Sequence, residues 1–374
     1  MSDDTVTLFA VGDIILKNED PESYFDLVAP TLRTGDVVIG QGEIPYTNRP
    51  ARTTETISAE DPESMRALTY AGFNVITLTG NHMWDAGVPG IEDTISWLKE
   101  HHIPPVGVGM NIDEARQPVI VDKKNTKIGI VSYNCVGPRE TWASPTKPGS
   151  AYVNVLTHYE LNHAVPGGTP IVYTFTDPET TDAMLDDIRN LRSKCDVLVV
   201  SFHKGIIHTP ATLARYELDI SRAAIDAGAD LILGHHAHIL KGIEVYKGKV
   251  IFHGLNQLVA ILPQLAPKPD QNKQSWAQER KRLYNFEPDP ENPNYPFHPD
   301  SKQTIIAKCL IKNGTIRKVT YLPCLINKKG QPEILKHDER GEKIFEYMKR
   351  ISAEVGLKVR FEWDGGEVLI HRDP

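Results

Sequence analysis

The sequence predicts an α/β fold in which a mostly buried sheet is covered by helices. Short apolar runs rich in β-branched residues alternate with segments of helical periodicity through most of the chain. Polar and ionisable residues repeatedly come directly after the apolar runs. In open α/β sheets, ligand sites lie beyond these carboxyl ends of the strands. Strands and helices that alternate in this way pack into layered sandwiches.

The first half of the chain shows the alternation clearly. One helix is predicted to begin at the N-cap Asp61, with Pro62 in its first position, and to end at Gly72. A second helix covers the region around Gly90–His101. The predicted strands of this half are, in order, Thr5–Val11, Val37–Ile39, Val75–Leu78, Val106–Gly109 and Lys127–Tyr133.

The second half continues the pattern and ends in a predicted hairpin and helix. The dipeptide Asn313-Gly314 between two apolar runs is a strong signal for a tight hairpin turn. The predicted strands are Val197–Ser201, Leu231–Leu233, Val250–Phe252, Gln303–Ile311 and Thr315–Leu322, and the predicted helices are Thr180–Leu191, Ala211–Ala227 and Gly341–Val355.

Two segments interrupt the pattern. Residues 137–170 are rich in Pro, Gly, Ser and Thr, and we predict a long loop or small insertion over the site. Residues 263–300 carry many prolines and aromatic residues and are predicted to form an irregular excursion. We therefore expect a catalytic core over 1–262, this excursion, and C-terminal strands and a helix over 301–374 that complete the same domain.

Composition narrows the class of protein. A chain of 374 residues with 40% hydrophobic and 24% charged residues is typical of a globular protein. The net charge of −8 argues against a nucleic acid as the main partner, because phosphate binding needs a basic surface. The four cysteines lie far apart, and neither a secretory signal nor an apolar run of membrane-spanning length is present. These features predict a cytoplasmic protein without a membrane partner, and they leave its oligomeric state open.

The most informative residues are those that come directly after predicted strands. Carboxylates, an amide and imidazoles from five strands should meet at one sheet edge, and this ligand mixture suits Mn, Fe or Zn. The run from Gly234 to His238 is the strongest signal, because imidazoles two residues apart after a strand can face one ion, whereas His235 should lie behind the ligands or face outward. The predicted metal ligands are Asp13, Glu43, Asn81, His203, His236 and His238.

Several of these residues could also have simpler structural roles. Asp13 could be a helix N-cap, Glu43 an ordinary loop carboxylate and His203 a packed loop residue. Their occurrence together is what favours a metal site. Further candidates follow from position near the strand ends: we predict that an anionic substrate is held by residues among Lys204, His208, Arg139, Arg52 and Asn256.

Short motifs follow one another in a fixed order between about Thr5 and Val259. They are Gly12-Asp13, Glu43, Ala71–Val75, Gly80–Gly87, Gly107–Asn111, Glu114–Pro118, Gly234–His238 and Gly254–Asn256. Taken together, they resemble the bacterial capsule-synthesis family associated with poly-γ-glutamate, a branch of the metallophosphoesterase-like (calcineurin-like) fold.

The resemblance implies a four-layer α/β-β/α sandwich with one or two divalent ions at the sheet edge. Carried across, it implies that Glu43 stands where the wider fold has a bridging aspartate. It also implies that His82 is the acid facing the substrate and that Asp85 orients it. The ligands implied in addition are Asp13, Asn81, His203, His236 and His238.

The chain departs from the pattern at two places. Ile15 stands where the wider fold has a histidine, which predicts one metal position with fewer ligands. The run from His203 to Ile207 replaces the family's His-Trp-Gly-x-Glu, and His208 is the residue available to substitute. Apart from these two departures the ligand residues are present. We therefore predict that the metal site has been kept and that the substrate has changed.

We therefore predict a soluble metal-dependent hydrolase that uses metal-activated water on an amide-type, glutamyl-like or related small-molecule bond. The expected substrate is an anionic small molecule or short polymer. The alternatives are a phosphoesterase acting through the same metal site, a metal-dependent lyase, and a non-catalytic accessory protein of polymer biosynthesis. Oxygen and nitrogen ligands without cysteine favour an open catalytic site over a structural one.

Overall fold

The structure is a computed structural model that describes residues 4–17, 20–49, 59–160, 168 and 170–372. It contains one ten-stranded sheet, one six-stranded sheet and two short strand pairs. The strands are β1 (Val6–Ile15), β2 (Val37–Gly42), β3 (Val75–Thr77), β4 (Pro105–Val106), β5 (Val108–Gly109), β6 (Val119–Lys123), β7 (Thr126–Asn134), β8 (Gly149–Ser150), β9 (Val155–Glu160), β10 (Ile171–Thr176), β11 (Val197–Lys204), β12 (Leu231–His236), β13 (Ile243–Tyr246), β14 (Lys249–Phe252), β15 (Gln257–Ala260), β16 (Gln303–Lys312), β17 (Thr315–Ile326), β18 (Pro332–Ile334), β19 (Arg360–Asp364) and β20 (Glu367–His371).

The α-helices are α1 (Ala29–Leu32), α2 (Arg66–Ala71), α3 (Gly87–Glu100), α4 (Ile112–Ala115), α5 (Pro178–Arg192), α6 (Arg215–Ala227), α7 (Lys273–Tyr284) and α8 (Glu339–Glu354). Short 3₁₀ turns cover Pro21–Phe25, Pro62–Met65, Arg139–Thr141, Pro263–Leu265 and Pro299–Lys302. No helix among the described ranges is both long and apolar enough to cross a membrane.

The ten-stranded sheet runs in the order β19-β20-β17-β16-β1-β2-β3-β4, with β15 beside the end of β1 and β18 beside β17. Strands β1 to β4 are parallel, and so are β1 and β15, whereas β16 is antiparallel to β1. The six-stranded sheet runs β13-β14-β12-β11-β7-β6, and its four central strands are parallel. Each sheet thus has a parallel part whose carboxyl ends share one edge.

The sheets and helices pack in layers around three clusters of buried apolar residues. In β1, Phe9 and Val11 pack with helices α1 to α3, while Leu8 and Ala10 face the second sheet. In the six-stranded sheet, alternate residues face either the first sheet or helices α5 and α6. Side chains that alternate with a period of two fill both faces of a buried strand, which explains the nearly continuous apolar runs. The four-layer α/β-β/α sandwich is therefore confirmed.

Local signals that were read from the sequence are confirmed in detail. Asp61 accepts a hydrogen bond from the Glu63 backbone N–H at the start of the helical segment, and Gly72 ends it with φ of +87°. At the β16–β17 turn, Asn313 and Gly314 have φ of +52° and +65°. Two consecutive positive φ angles are the geometry that an Asn-Gly hairpin turn requires.

The two interrupting segments contain more regular structure than predicted. The 263–300 excursion includes α7, which the sequence pattern missed because only Trp276 and Ala277 of this polar helix are buried. The 137–170 segment contains β8, which pairs with β5, and β9, which pairs with β10 just after the segment. The short strands β13 and β15 and the β19–β20 hairpin were not predicted either. The sheets are consequently larger than the sequence suggested.

Candidate metal centre

Both sheets contribute side chains to one site at the carboxyl ends of their parallel strands. The first sheet supplies a residue near the end of β1, one just after β2 and one in the turn after β3. The second sheet supplies one from β11, the last residue of β12, and one two residues beyond. These six side chains are Asp13, Glu43, Asn81, His203, His236 and His238, and each is buried or partly buried.

Four of them form a first cluster around a common point. Asn81 Oδ1 lies 2.9 Å from His203 Nε2 and 3.2 Å from His236 Nδ1. The two imidazole nitrogens are 3.2 Å apart, and Glu43 Oε1 is 3.6 Å from His203 Nε2. Metal–ligand bonds of about 2.1 Å place neighbouring ligand atoms roughly 3 to 3.5 Å apart. The spacing in this cluster is that of the ligand atoms of one ion.

A second cluster shares Glu43 with the first. His238 Nε2 lies 3.8 Å from Glu43 Oε1, and His238 Nδ1 lies 3.8 Å from Asp13 Oδ2. Asp13, Glu43 and His238 each offer a ligand atom, all within 4.8 Å of one another. Ile15, at the place where the wider fold has a histidine, is fully buried in the apolar core below α1 to α3 and offers no donor. This cluster is therefore the poorer in ligands, with Glu43 between the two.

The chemistry of these atoms fits a divalent cation. In the first cluster, Asn81 Oδ1 carries no proton, so the three atoms within 3.2 Å cannot all be hydrogen bonded to one another. Among the described residues, both carboxylate oxygens of Glu43 and Oδ1 of Asp13 are buried without a hydrogen-bond partner. Buried polar atoms of this kind are costly unless an ion satisfies them.

Electrostatics point the same way. Burial lowers the pKa of His203 well below its usual range, and the neighbouring His236 lowers it further. Burial likewise lowers the pKa of His236 and of His238. Burial raises the pKa of Glu43 well above its usual value, and the charges of Asp13 and Asp85 add to the rise. The site thus holds neutral imidazoles beside carboxylates that need a positive charge close by.

The backbone is shaped to bring the ligands together. His236 and His238 both have positive φ angles, +84° and +49°, which few residues other than glycine adopt. The His236 backbone N–H donates to Asp13 Oδ2 at 3.0 Å and so joins the two sheets. A Cβ atom on Gly12 would lie 2.1 Å from the Asn256 carbonyl oxygen, so only glycine allows this close approach.

His82 and Asp85 form a pair beside the ligands. His82 Nδ1 lies 2.8 Å from Asp85 Oδ2, and the Asp85 side chain has no exposed surface. The His82 side chain is 18% exposed, so one edge of its ring can reach a substrate. A buried carboxylate at this distance fixes the ring orientation and the tautomer of its histidine.

Two predicted substrate-binding residues have other contacts. Lys204 belongs to β11 and is fully buried, with its Nζ 3.4 Å from Glu217 Oε2 and 3.2 Å from His253 Nδ1. The Asn256 amide donates to the carbonyl oxygens of Ser301 and Gln303, each at 2.7 Å. These contacts do not support the two predicted substrate-binding roles, because Lys204 lies within the buried strand β11 and the Asn256 amide is hydrogen-bonded to the backbone.

The other candidates stay predictions. The His208 ring packs 4.6 Å from the Phe286 ring and 5.8 Å from the His238 ring, and burial lowers its pKa to about 2. Arg139 is exposed, with its guanidinium 5.6 Å from the Trp142 ring centre. Arg52 lies outside the described residues.

Three further residues adjoin the site, and two of them, Gln257 and Lys147, were not identified from the sequence. His235 is buried with its Nδ1 3.2 Å from Asp13 Oδ1, so it lies behind that carboxylate. Gln257 lies beside Asp13 in the parallel β1–β15 register. Lys147 places its ammonium 4.3 Å from the ring centre of Trp84, two residues after His82. Only the pairing of β15 with β1 could have revealed Gln257, and β15 was not predicted.

Two facing sheets with carboxylate, amide and imidazole ligands at their shared edge define a metallophosphoesterase-like α/β-β/α protein. The chain belongs to the family described as bacterial capsule synthesis protein PGA_cap, whose family model matches residues 7–260. This confirms the resemblance inferred from the motifs.

Two relatives are known by name. The PGA biosynthesis protein CapA of Bacillus subtilis is 29% identical over 270 residues, which cover 69% of this chain and 64% of that protein. The capsule biosynthesis protein CapA of Bacillus anthracis is 27% identical, with 68% of this chain and 59% of that protein covered. The match therefore spans about three fifths of each relative's length.

A calcineurin-like phosphoesterase of Bacillus subtilis, YfkN, is a similar solved structure. It is 12% identical, with a TM-score of 0.39, and covers 94% of this chain and 98% of its own. The fold assignment rests on the sheet order and layers described above.

Proposed function

We propose that this protein is a metal-dependent hydrolase that cleaves an amide-type bond in an anionic small molecule or short polymer. The supporting observation is the convergence of Asn81 Oδ1, His203 Nε2 and His236 Nδ1 within 3.2 Å of one another. Bound divalent ions supply an activated water nucleophile and polarise the bond under attack.

The ligand atoms divide into two sets. Glu43, Asn81, His203 and His236 would hold one ion, and Asp13, Glu43 and His238 the other. Imidazole, carboxylate and amide ligands without cysteine are typical of Mn, Fe or Zn sites with open positions. Glu43 would belong to both sets, so its charge serves two ions at once.

His82 would act as the general acid. Its Nδ1 is held by Asp85 at 2.8 Å, which leaves Nε2 to face the substrate. Asp85 orients the ring, and the leaving amine takes the proton from His82. General acid catalysis of this kind contributes about 10²- to 10⁴-fold to the rate.

The bond type is proposed from the family and from the second cluster. The CapA relatives are named for PGA and capsule biosynthesis, and a glutamate polymer is joined by amide bonds. Ile15 fills the place of a histidine that strengthens the phosphoesterase site, and this favours a substrate other than a phosphate ester. Glutamyl amides are accordingly the first substrates to test.

The first experiment measures the metal content of protein purified without chelator, beside a His236→Ala/His238→Ala double variant. We expect near-stoichiometric Mn, Fe or Zn in the parent and its loss in the double variant. The loaded parent should then hydrolyse a γ-glutamyl amide faster than a phosphomonoester. His82→Ala should keep the metal and lose about 10²- to 10⁴-fold in rate.

Each result discriminates among the alternatives. Preference for the phosphomonoester would replace the amidase with a phosphoesterase acting through the same ligands. A parent that binds metal but cleaves neither substrate would favour an accessory role in polymer synthesis. A double variant with full metal content and full rate would place the centre elsewhere and overturn the proposal.

A further inference from the structure

His238 has a neighbour on the side facing away from Glu43. Its Nδ1 lies 3.0 Å from Oε1 of Gln257, whereas its Nε2 is the nitrogen nearest to Glu43 Oε1, at 3.8 Å. Gln257 has no exposed surface and comes from β15, the strand paired with the end of β1. A buried amide at this distance can control which ring nitrogen of His238 carries the proton.

The orientation of the Gln257 amide follows from its other partners. The Ser301 carbonyl oxygen can only accept, so the Tyr295 hydroxyl donates to it at 2.6 Å. The Tyr295 oxygen then accepts from Gln257 Nε2, also at 2.6 Å. The Gln257 amide nitrogen is thereby committed to Tyr295, and its carbonyl oxygen must face His238.

The Ser301 carbonyl thus sets the direction of each hydrogen bond in the series from Tyr295 through Gln257 to His238. Since Gln257 Oε1 can only accept, His238 Nδ1 carries the proton and donates it. The Nε2 lone pair is left pointing toward Glu43, where the second ion would be held. Ser301 contributes again, because its hydroxyl donates to the His238 carbonyl oxygen and holds the backbone.

We propose that Gln257 and Tyr295 are positioning residues that fix the tautomer of His238 for metal binding at the Asp13, Glu43 and His238 cluster. The inference rests on the metal centre of the proposed function, but not on the bond that is cleaved. Tyr295 lies in the 263–300 excursion, beyond the residues matched by the family model. A residue of the excursion therefore helps to orient a candidate ligand that lies within the family-matched residues.

The test is a Mn²⁺ titration by calorimetry of the chelator-treated full chain. We expect Gln257→Leu to weaken one of two binding steps by about 10- to 100-fold and to leave the other unchanged. Gln257→Glu, which keeps an acceptor oxygen opposite Nδ1, should restore most of that affinity. Tyr295→Phe should weaken the same step, since it frees the amide to rotate.

Tyr321→Phe is the matched control. Tyr321 is a buried tyrosine whose hydroxyl has no hydrogen-bond partner among the described residues, so its removal should leave both steps unchanged. A second readout is the ¹⁵N spectrum of histidine-labelled protein without metal. The His238 signals, assigned by their loss in His238→Gln, should show an Nδ1–H tautomer in the parent and a mixture in Gln257→Leu.

Unchanged affinity of both steps in Gln257→Leu, or an Nε2–H tautomer in the parent, would overturn the inference. If Gln257→Leu does not fold, Tyr295→Phe decides by the same criteria. A parent that binds two Mn²⁺ ions and shows these effects but hydrolyses nothing would support the positioning role and contradict the hydrolase. A parent that binds no ion would overturn both.

Discussion

Single residues in the site are adjusted by burial toward binding a cation. The pKa of His203 is lowered and that of Glu43 is raised, chiefly because both side chains are out of contact with water. A neutral imidazole keeps the lone pair that a metal needs, and a buried carboxylate gains most from a nearby positive charge. The lowered pKa of His203 and the raised pKa of Glu43 thus belong to two residues with ligand atoms in the first cluster.

The buried histidines predict a loss of stability in acid. His253 has a pKa of about 4 because of burial, and burial lowers the pKa of His208 to about 2. In the unfolded chain a histidine titrates near 6.5, so between that pH and the folded value only the unfolded state takes up the proton. Lowering the pH from 6.5 to 5 should therefore cost about 1.6 kcal/mol of unfolding free energy for each of these two histidines.

Urea unfolding of the metal-free protein at several pH values measures the slope of the unfolding free energy against pH. His253→Gln should make it shallower, whereas substitution of the exposed His158 by glutamine should leave it unchanged. A stability that is flat between pH 6.5 and 5 would contradict the prediction.

At the scale of elements, the site depends on how closely neighbouring strands approach. β1 passes the segment after β14 so closely that Gly12 lies against the Asn256 carbonyl, and β12 does the same at Gly234 against His253. Both glycines sit within two residues of a predicted ligand. The strands can therefore deliver their ligands only if these backbone contacts are kept.

Gly12→Ala should destabilise the protein and weaken metal binding. Its Cβ would lie 2.1 Å from a backbone oxygen, so β1 must shift, at a cost of about 1–3 kcal/mol or more. Gly366→Ala is the matched control, because a Cβ there has no atom within 4 Å. Thermal unfolding and Mn²⁺ titration of both variants would test this, and equal behaviour of the two would contradict the prediction.

Elements also show what the sequence could and could not predict. The layers and most strands were predictable because buried parallel strands produce apolar runs, and the meeting of the candidate ligand residues was predictable because they follow those runs. Helix α7 was missed since it buries too few residues to show a periodicity. The contact of His236 with Asp13 joins residues 223 positions apart, and no local pattern reports it. Position along a strand also did not reveal that Lys204 points into the interior.

Across the whole molecule, the candidate metal centre lies where the two sheets meet. Asp13, Glu43 and Asn81 belong to the first sheet and the three histidines to the second, so a bound ion would join them. An apolar core already holds the sheets together below this edge. Metal binding should consequently add to the stability of a fold that also forms without it.

Metal should raise the Tm by an amount that grows with the logarithm of the ratio of metal concentration to Kd. A ligand present at about 100 times its Kd stabilises the folded state by roughly 2.7 kcal/mol. We expect a higher Tm in Mn²⁺ than in EDTA for the parent and for His158→Gln, and no difference for His236→Ala/His238→Ala. A parent whose Tm is the same in both buffers would contradict the prediction.

The position of β1 has a consequence for synthesis of the chain. β1 precedes the other described strands along the chain, yet one of its two edges pairs with β16, where Val6 lies opposite Ile311. That edge can pair only after some three hundred further residues have left the ribosome. The large sheet is therefore completed late and by long-range contacts. Until then the apolar strand offers open hydrogen-bonding groups to other nascent chains. The interval before β16 arrives is therefore when this protein is most exposed to misassembly, and slower synthesis would lengthen it.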